Sequence, residues 1–182
     1  VDTRYVAPDP SQRLEDQVAA AVLAALRADE GSILVFLPGQ AEIARVAERV
    51  VGRVAADTDI APLYGQLDAA EQDRAIAPAP VGRRKVVLAT SIAETSLTIE
   101  GIRIVVDSGF RRVPAYDPAT GLSALETRRV SRAAADQRRG RAGRTAPGIC
   151  YRLRSEGQTG GFAPFDTPEI LSADLTGLAL DL

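Results

Sequence analysis

Apolar residues along this chain recur at two periods, and the alternation between them sets out a series of elements. Leu14, Val18, Val22 and Leu26 recur at helical spacing after Pro8 and Pro10, and Gly31 follows Asp29-Glu30 as a stop, so an amphipathic helix is expected over 12–29. The unbroken run Ile33-Leu34-Val35-Phe36-Leu37 reads as a short buried strand. Past Pro38-Gly39, the positions Ile43, Val46, Ala47, Val50 and Val54 mark a second helix. A strand is expected over 60–64, then a capping-box-like start at Asp68 and Glu71 and a short helix to Ile76, ended by Pro78 and Pro80.

Residues 85–89 form the next expected strand, with Thr90 and Ser91 at its exit, a helical turn over 94–97 and a further strand over 102–106. Beyond Gly109, the runs 111–116 and 122–129 flank Asp117-Pro118-Ala119-Thr120-Gly121, the pattern of a β-hairpin that projects from a sheet. A helix over 132–143 and a strand over 149–153 follow, and 157–165 reads as a loop. Apolar strands alternating with amphipathic helices imply an α/β fold, a mainly parallel sheet with helices on both faces. Ligands gather at the carboxyl ends of such strands, which points to the Thr90-Ser91 exit and to the segment before Gln137.

A length of 182 residues suits one such domain, expected over 1–154, with 155–182 as a linker and the start of a following helical region. With 46% apolar and 25% charged residues, no apolar run near the length of a membrane span and no signal peptide at the start, a soluble, cytoplasmic protein is expected. A start at Val1 without Met and an amphipathic end over 170–182 read as an excised piece. The absence of His and the single Cys150 remove His-based acid/base chemistry, and no metal site is expected. Cys150, in a strand, reads as a small core residue. Lys85, the only lysine, follows Arg84 rather than the glycine of a Walker A loop, so any bound nucleotide needs a second segment to hold most of it.

The formal net charge of −2 hides a strong asymmetry: between Arg128 and Arg144 seven arginines face one acid, Asp136, a local +6 against −8 for the rest. Within it, Gln137-Arg138-Arg139-Gly140-Arg141-Ala142-Gly143-Arg144 sets guanidinium groups among small residues. If the segment is helical, Arg141 and Arg144 share a face, and the glycines permit close approach to the backbone. Planar, always-charged groups of this kind suit a phosphate chain whose charge builds during transfer. Of Arg138 and Arg139, one is expected to be a structural ion-pair partner and the other a solvated charge.

The stretch Thr90-Ser91-Ile92-Ala93-Glu94-Thr95-Ser96-Leu97-Thr98-Ile99-Glu100-Gly101 and the segment from Gln137 to Arg144 resemble motifs V and VI of DEAH/RHA-type superfamily 2 helicases. Val35-Phe36-Leu37-Pro38-Gly39-Gln40-Ala41-Glu42-Ile43 resembles motif IV of that family, and Leu63-Tyr64-Gly65-Gln66-Leu67 resembles motif IVa. All four stand in the family's order, over about residues 30–154, and the details are most similar to the bacterial HrpB-type branch. Pro164-Phe165-Asp166-Thr167-Pro168-Glu169-Ile170 resembles the segment leading into the family's winged-helix region.

The resemblance implies the second RecA-like lobe of a two-lobe motor, with ATP and Mg2+ in a cleft shared with a first lobe that carries the P-loop and the acidic metal-binding box. It implies that Arg141 and Arg144 reach the γ-phosphate, and that Gln137 stands near the attacking water. Glu100 matches an acid that bonds the ribose, where the commoner residue is Asp, and Thr98 belongs to the same nucleotide-binding stretch. Ile76 falls where relatives place a base-stacking Phe, which implies apolar packing with little base discrimination. Thr90 and Ser91 match a loop that touches the RNA backbone, Gln66 falls where many relatives have a phosphate-contacting Ser, and Gly65 beside it is a further candidate for nucleic-acid contact. Arg111, Arg112 and Tyr116 lie on a hairpin that in relatives projects toward the nucleic acid. Backbone contacts of this kind carry no sequence information. The implied partner is single-stranded RNA, with DNA as an alternative because backbone contacts discriminate weakly. A non-enzymatic RNA-binding module with a motor-like fold is the other reading, favoured by the missing P-loop.

Overall fold

Ile33, Val35 and Leu37 join one apolar cluster while Leu34 and Phe36 join another, as the period of two along a strand requires. The computed structural model describes residues 1–144, 146–159 and 161–165. The expected helical region after 165 and most of the Pro164–Ile170 stretch lie outside the described residues.

The elements run β1 (Asp2–Tyr5), α1 (Leu14–Ala28), β2 (Ser32–Phe36), α2 (Gln40–Val50), β3 (Thr58–Leu63), α3 (Ala69–Ile76), β4 (Arg84–Ala89) and α4 (Ile92–Thr95). They continue with β5 (Ile102–Asp107), β6 (Phe110–Asp117), β7 (Leu122–Arg129), α5 (Arg132–Gly140), β8 (Ile149–Arg152) and α6 (Glu156–Thr159). Six strands form one sheet in the order β1-β8-β5-β2-β4-β3, and every pairing in it is parallel. The first cluster packs α1 and α2 on one face against Ile33, Val35, Val86, Leu88, Ile104 and Val106. The second packs Ala75 of α3, Ala93 of α4 and Ala142 on the other face, against Leu34, Phe36, Val87, Val105 and Cys150. Helices therefore cover both faces, and truncating a fully buried side chain between layers, such as Leu88, costs about 2–5 kcal/mol.

Helix ends are closed by side chains from the sheet. Arg84 donates to the carbonyls of Leu26, Asp29 and Gly31 at the end of α1, and Lys85, pointing to the other face, donates to those of Arg74, Ala75 and Ala77 at the end of α3. Cations there satisfy the last carbonyls and oppose the helix dipole. The only lysine is thus a helix cap, whose pKa burial lowers. Asp68 accepts from Glu71 N at 2.8 Å, the N-cap that its spacing implied.

Several details depart from the sequence pattern, among them the helical turn expected over 94–97, which forms at Ile92–Thr95. Strand β1 went unanticipated: Asp2-Thr3-Arg4-Tyr5 is short and mostly polar, and it pairs along β8 at an edge with neither face fully buried. Residues 157–165 are not loop throughout, because 156–159 form one helical turn. Helix α5 stops at Gly140 rather than 143. Pro62 lies in β3, the opposite edge strand, where a missing N–H leaves no gap in the ladder.

The hairpin β6–β7 forms a separate two-stranded sheet, paired from Phe110–Arg129 to Asp117–Leu122. Its tip is closed by Asp117 Oδ1 accepting from Ala119 N at 2.9 Å and by Gly121 at φ 70°. All of β7 is exposed, so the hairpin projects as its pattern implied. At its base, Arg112 donates to Glu42 Oε1 at 2.5 Å and lies over Gly39, where an added Cβ would stand 2.9 Å from the guanidinium.

Candidate functional site

Helix α5 begins where Ser131 Oγ accepts from Ala134 N at 3.0 Å. It runs antiparallel to β5 and closes with i→i+3 bonds, Arg141 N to Arg138 O and Ala142 N to Arg139 O, both 3.2 Å. Residues 141–144 therefore form a turn rather than a helical face. Ala142 is fully buried under the sheet, and on either side of it Arg141 and Arg144 emerge toward the same surface.

Two adjoining depressions share these arginines. One, of about 390 Å³, is lined by Thr98, Ile99, Glu100, Gly101 and Ile102 with Arg141 and Arg144. The other, of about 290 Å³, is lined by Glu94, Thr95, Gln137 and Gly140 with the same pair. Arg141 Nε donates to the Glu94 carbonyl at 2.7 Å and Nη2 bonds the same oxygen, whereas Nη1 is buried without a hydrogen-bond partner among the described residues. Burial first, and the adjacent Arg144 second, lower the Arg141 pKa. Such a cation, aimed by the main chain and crowded by a like charge, is relieved by an anion that takes the free donor.

The location differs from the expectation that both sets of chemistry sit at carboxyl strand ends. β4 and β5 are parallel, so their connection must return across the sheet. It carries α4 down to Thr98–Ile102 at the amino end of β5, and α5 delivers Arg141 to that same end. Only the other set lies at carboxyl ends. There Thr90 and Ser91 leave β4 half-buried, and Gly65 and Gln66 are exposed just after β3. Gln66 Oε1 accepts from Gln40 Nε2, which ties this loop to the start of α2, and Gly65 stands against Ile92 of α4.

The structure thus gathers Arg141, Arg144, Gln137, Thr98 and Glu100 in one place and Thr90, Ser91, Gly65 and Gln66 in another. Ile76 lines neither depression and packs onto the apolar cluster that contains Ile99. Arg111 and Arg112 point to opposite faces of β6, and Arg112 is engaged with Glu42. Arg139 is no solvated charge: it donates to Thr3 Oγ1 at 2.5 Å and Val1 O at 2.6 Å, tying α5 to β1.

Arg138 is the structural partner, and its setting was not legible from spacing. It is fully buried, with Nε on Glu94 Oε1 and Nη1 on Asp107 Oδ1, each at 2.8 Å, and with both terminal nitrogens on the Phe110 carbonyl at 3.2 Å. Its guanidinium lies over the Phe36 ring, 4.8 Å from the centroid, and Arg154 approaches the other Asp107 oxygen at 3.5 Å. Burial opposes ionisation of Asp107, but the two guanidiniums more than offset it and hold the carboxyl below its ordinary range. Nothing in the sequence separates Arg138 from Arg139; the one available signal was an acid, Asp107, ending an otherwise apolar strand.

Among the described residues, no helix is long and apolar enough to cross a membrane, and no group of three or more His, Cys, Asp and Glu residues could hold a metal ion.

A parallel sheet of this order with helices on both faces, an arginine turn beside its central strands and a projecting hairpin define a RecA-like helicase lobe of the C-terminal type. The chain belongs to the helicase conserved C-terminal domain family, whose model matches residues 15–146. It is 52% identical over 182 residues to the ATP-dependent RNA helicase HrpB of Escherichia coli, covering 100% of this chain and 22% of that protein. It is 46% identical over 157 residues to the human probable ATP-dependent RNA helicase DHX34, covering 85% of this chain and 14% of that protein. The crystal structure of E. coli DExH-box NTPase HrpB superposes with a TM-score of 0.94, covering 100% of this chain and 22% of that one. The chain thus spans about a fifth or less of the length of these curated relatives.

Proposed function

We propose that this chain, over residues 1–154, is the C-terminal lobe of an ATP-dependent RNA helicase and completes a nucleotide site shared with a first RecA-like lobe. The observation that carries this reading is the convergence of Arg141, with its unpaired Nη1, and Arg144 on the depressions lined by Gln137, Thr98 and Glu100. The donor set fits a triphosphate. Arg141 and Arg144 act as arginine fingers on the γ-phosphate, Gln137 positions the attacking water, and Glu100 with Thr98 holds the ribose side. Ile76 supplies apolar packing without base discrimination. Mg2+ would be held mainly by the first lobe and, when bound, would supply charge neutralisation at the phosphates.

Thr90, Ser91, Gly65 and Gln66 grip the backbone of single-stranded RNA at the carboxyl ends of the strands, with Arg111 and Arg112 on the hairpin beside them. Hydroxyl, amide and main-chain donors there fix register without reading bases. The family relationship, with relatives named as RNA helicases, supports the RNA assignment, and the cytoplasm is the proposed site of action.

The test is Arg144→Ala in a protein that joins this chain to the first lobe. RNA-stimulated ATP hydrolysis is expected to fall by about 10³-fold or more, the scale of arginine-finger losses, with RNA affinity nearly unchanged. Loss of RNA binding with hydrolysis retained would contradict the finger role. Stimulation of the parent protein by DNA as strongly as by RNA would make it a DNA motor, and an absence of hydrolysis altogether would leave a binding module.

A further inference from the structure

Arg138 joins two segments that are far apart in the chain, the short helix α4 and the turn from β5 into the hairpin. In α4 it holds the carboxylate of Glu94, the residue whose carbonyl holds Arg141 Nε. Toward the carboxyl end of β5 it holds Asp107 and the carbonyl of Phe110, the first residue of the hairpin. Asp107 Oδ1 in turn accepts from Gly109 N at 2.8 Å, and Gly109 takes φ 83° to make the turn from β5 into β6. There is little room for slack: an added Cβ at Gly109 would stand 3.2 Å from Arg154 Nη1.

Resting on the helicase reading above, we infer that Arg138 is a positioning residue that couples the arginine turn to the root of the hairpin. The guanidinium is planar and rigid, and its three nitrogens serve two carboxylates and one carbonyl. A displacement of Glu94 as Arg141 closes on a phosphate therefore moves Arg138, and with it the Phe110 carbonyl. The element is buried and close-packed against Phe36, so the displacement is passed on rather than absorbed by solvent. Lysine keeps the charge but, as a point charge on a flexible stem, it cannot hold all three partners in one plane.

The coupling is measured in the two-lobe protein as the ratio of dissociation constants for a non-hydrolysable ATP analogue without and with saturating single-stranded RNA. By linkage the same ratio must appear for RNA with and without the analogue. In the parent a ratio of about 5–150 is expected, the usual range of coupling between sites. In Arg138→Lys it is expected to fall to about 1, with each separate affinity changed less than the ratio. Glu94→Gln, which keeps the shape and the main-chain carbonyl while removing the charge, is expected to reduce the ratio as well and provides the test if the lysine variant fails to fold. A purely structural role would lower the melting temperature of either variant and leave the ratio intact, and that result overturns this inference alone. A parent protein that binds neither ATP nor RNA, or binds both without coupling, overturns it together with the helicase reading or with the two-site picture respectively.

Discussion

Gly148 and Ala142 meet so closely that a Cβ on the glycine would stand 2.0 Å from the Ala142 carbonyl oxygen and 2.4 Å from its carbon. The peptide approached is the one between Arg141 and Arg144, so the start of β8 sets where the arginine turn lies. By contrast Gly140 faces open space, and Gly143 would meet the Val1 side chain rather than backbone.

Gly148→Ala is expected to move this turn, because the obstacle is backbone and cannot rotate away. Overpacking of this kind costs about 1–3 kcal/mol or more. A shift of about 1 Å in catalytic groups costs on the order of 10²-fold in rate, so RNA-stimulated kcat should fall far more than RNA affinity. Steady-state kinetics in the two-lobe protein, beside a melting curve, check both. An unchanged kcat would show that the turn tolerates displacement.

Asp107 sets an acid limit on stability. Its pKa in the folded chain lies below the ordinary 3.8, so its contribution is complete above that value and is lost as pH falls through it toward the lower folded value. Chemical denaturation at a series of pH values should show a steep loss below about pH 4. Asp107→Asn should flatten that limb while costing about 3–5 kcal/mol at neutral pH, because Arg138 and Arg154 then stay buried without this counter-charge. An acid limb unaltered in the variant would assign it to other carboxylates.

Cys150 should be inert in the folded chain. Burial, with Asp107 adding to it, pushes its thiol up from 9.0 to about 12. Labelling by a thiol reagent at pH 8 is expected to be slower than in the unfolded chain by ~10³-fold, from the lower thiolate fraction and from burial together. Rapid labelling without unfolding would mean that β8 opens locally.

Arg112→Ala should loosen the hairpin while sparing the sheet. Glu42, nearly buried, loses its ion-pair partner, a loss of about 1–3 kcal/mol for an unsatisfied buried group. Hydrogen exchange is expected to quicken at 110–129 and stay unchanged in β2, β4 and β5. Uniform quickening across the sheet would show that the ion pair supports the whole lobe.

Periodicity and run length decided most of the fold in advance. Wherever an element buries a face, as α1, α2 and β2 do, its apolar spacing records that burial, because each contact with the core must be made by an apolar residue at the right period. β1 left no such record, since an edge strand of four mostly polar residues is held by ladder bonds to β8 and by Arg139 rather than by a buried face. Helix α5 left an ambiguous one, since small residues and arginines continue past Gly140 with no change of pattern.

The chemistry divides in the same way. The sequence by itself determined that a cluster of permanent positive charge exists beside an amide, and that no local P-loop accompanies it, because charge and motif spacing are properties of the chain. Only the tertiary structure decided what each arginine does. Arg138, Arg139, Arg141 and Arg144 are chemically identical, and their roles follow from which acids and carbonyls distant strands bring to them. Glu94 and Asp107 bury the first, β1 captures the second, and Arg141 and Arg144 are left for an anion at the amino end of β5.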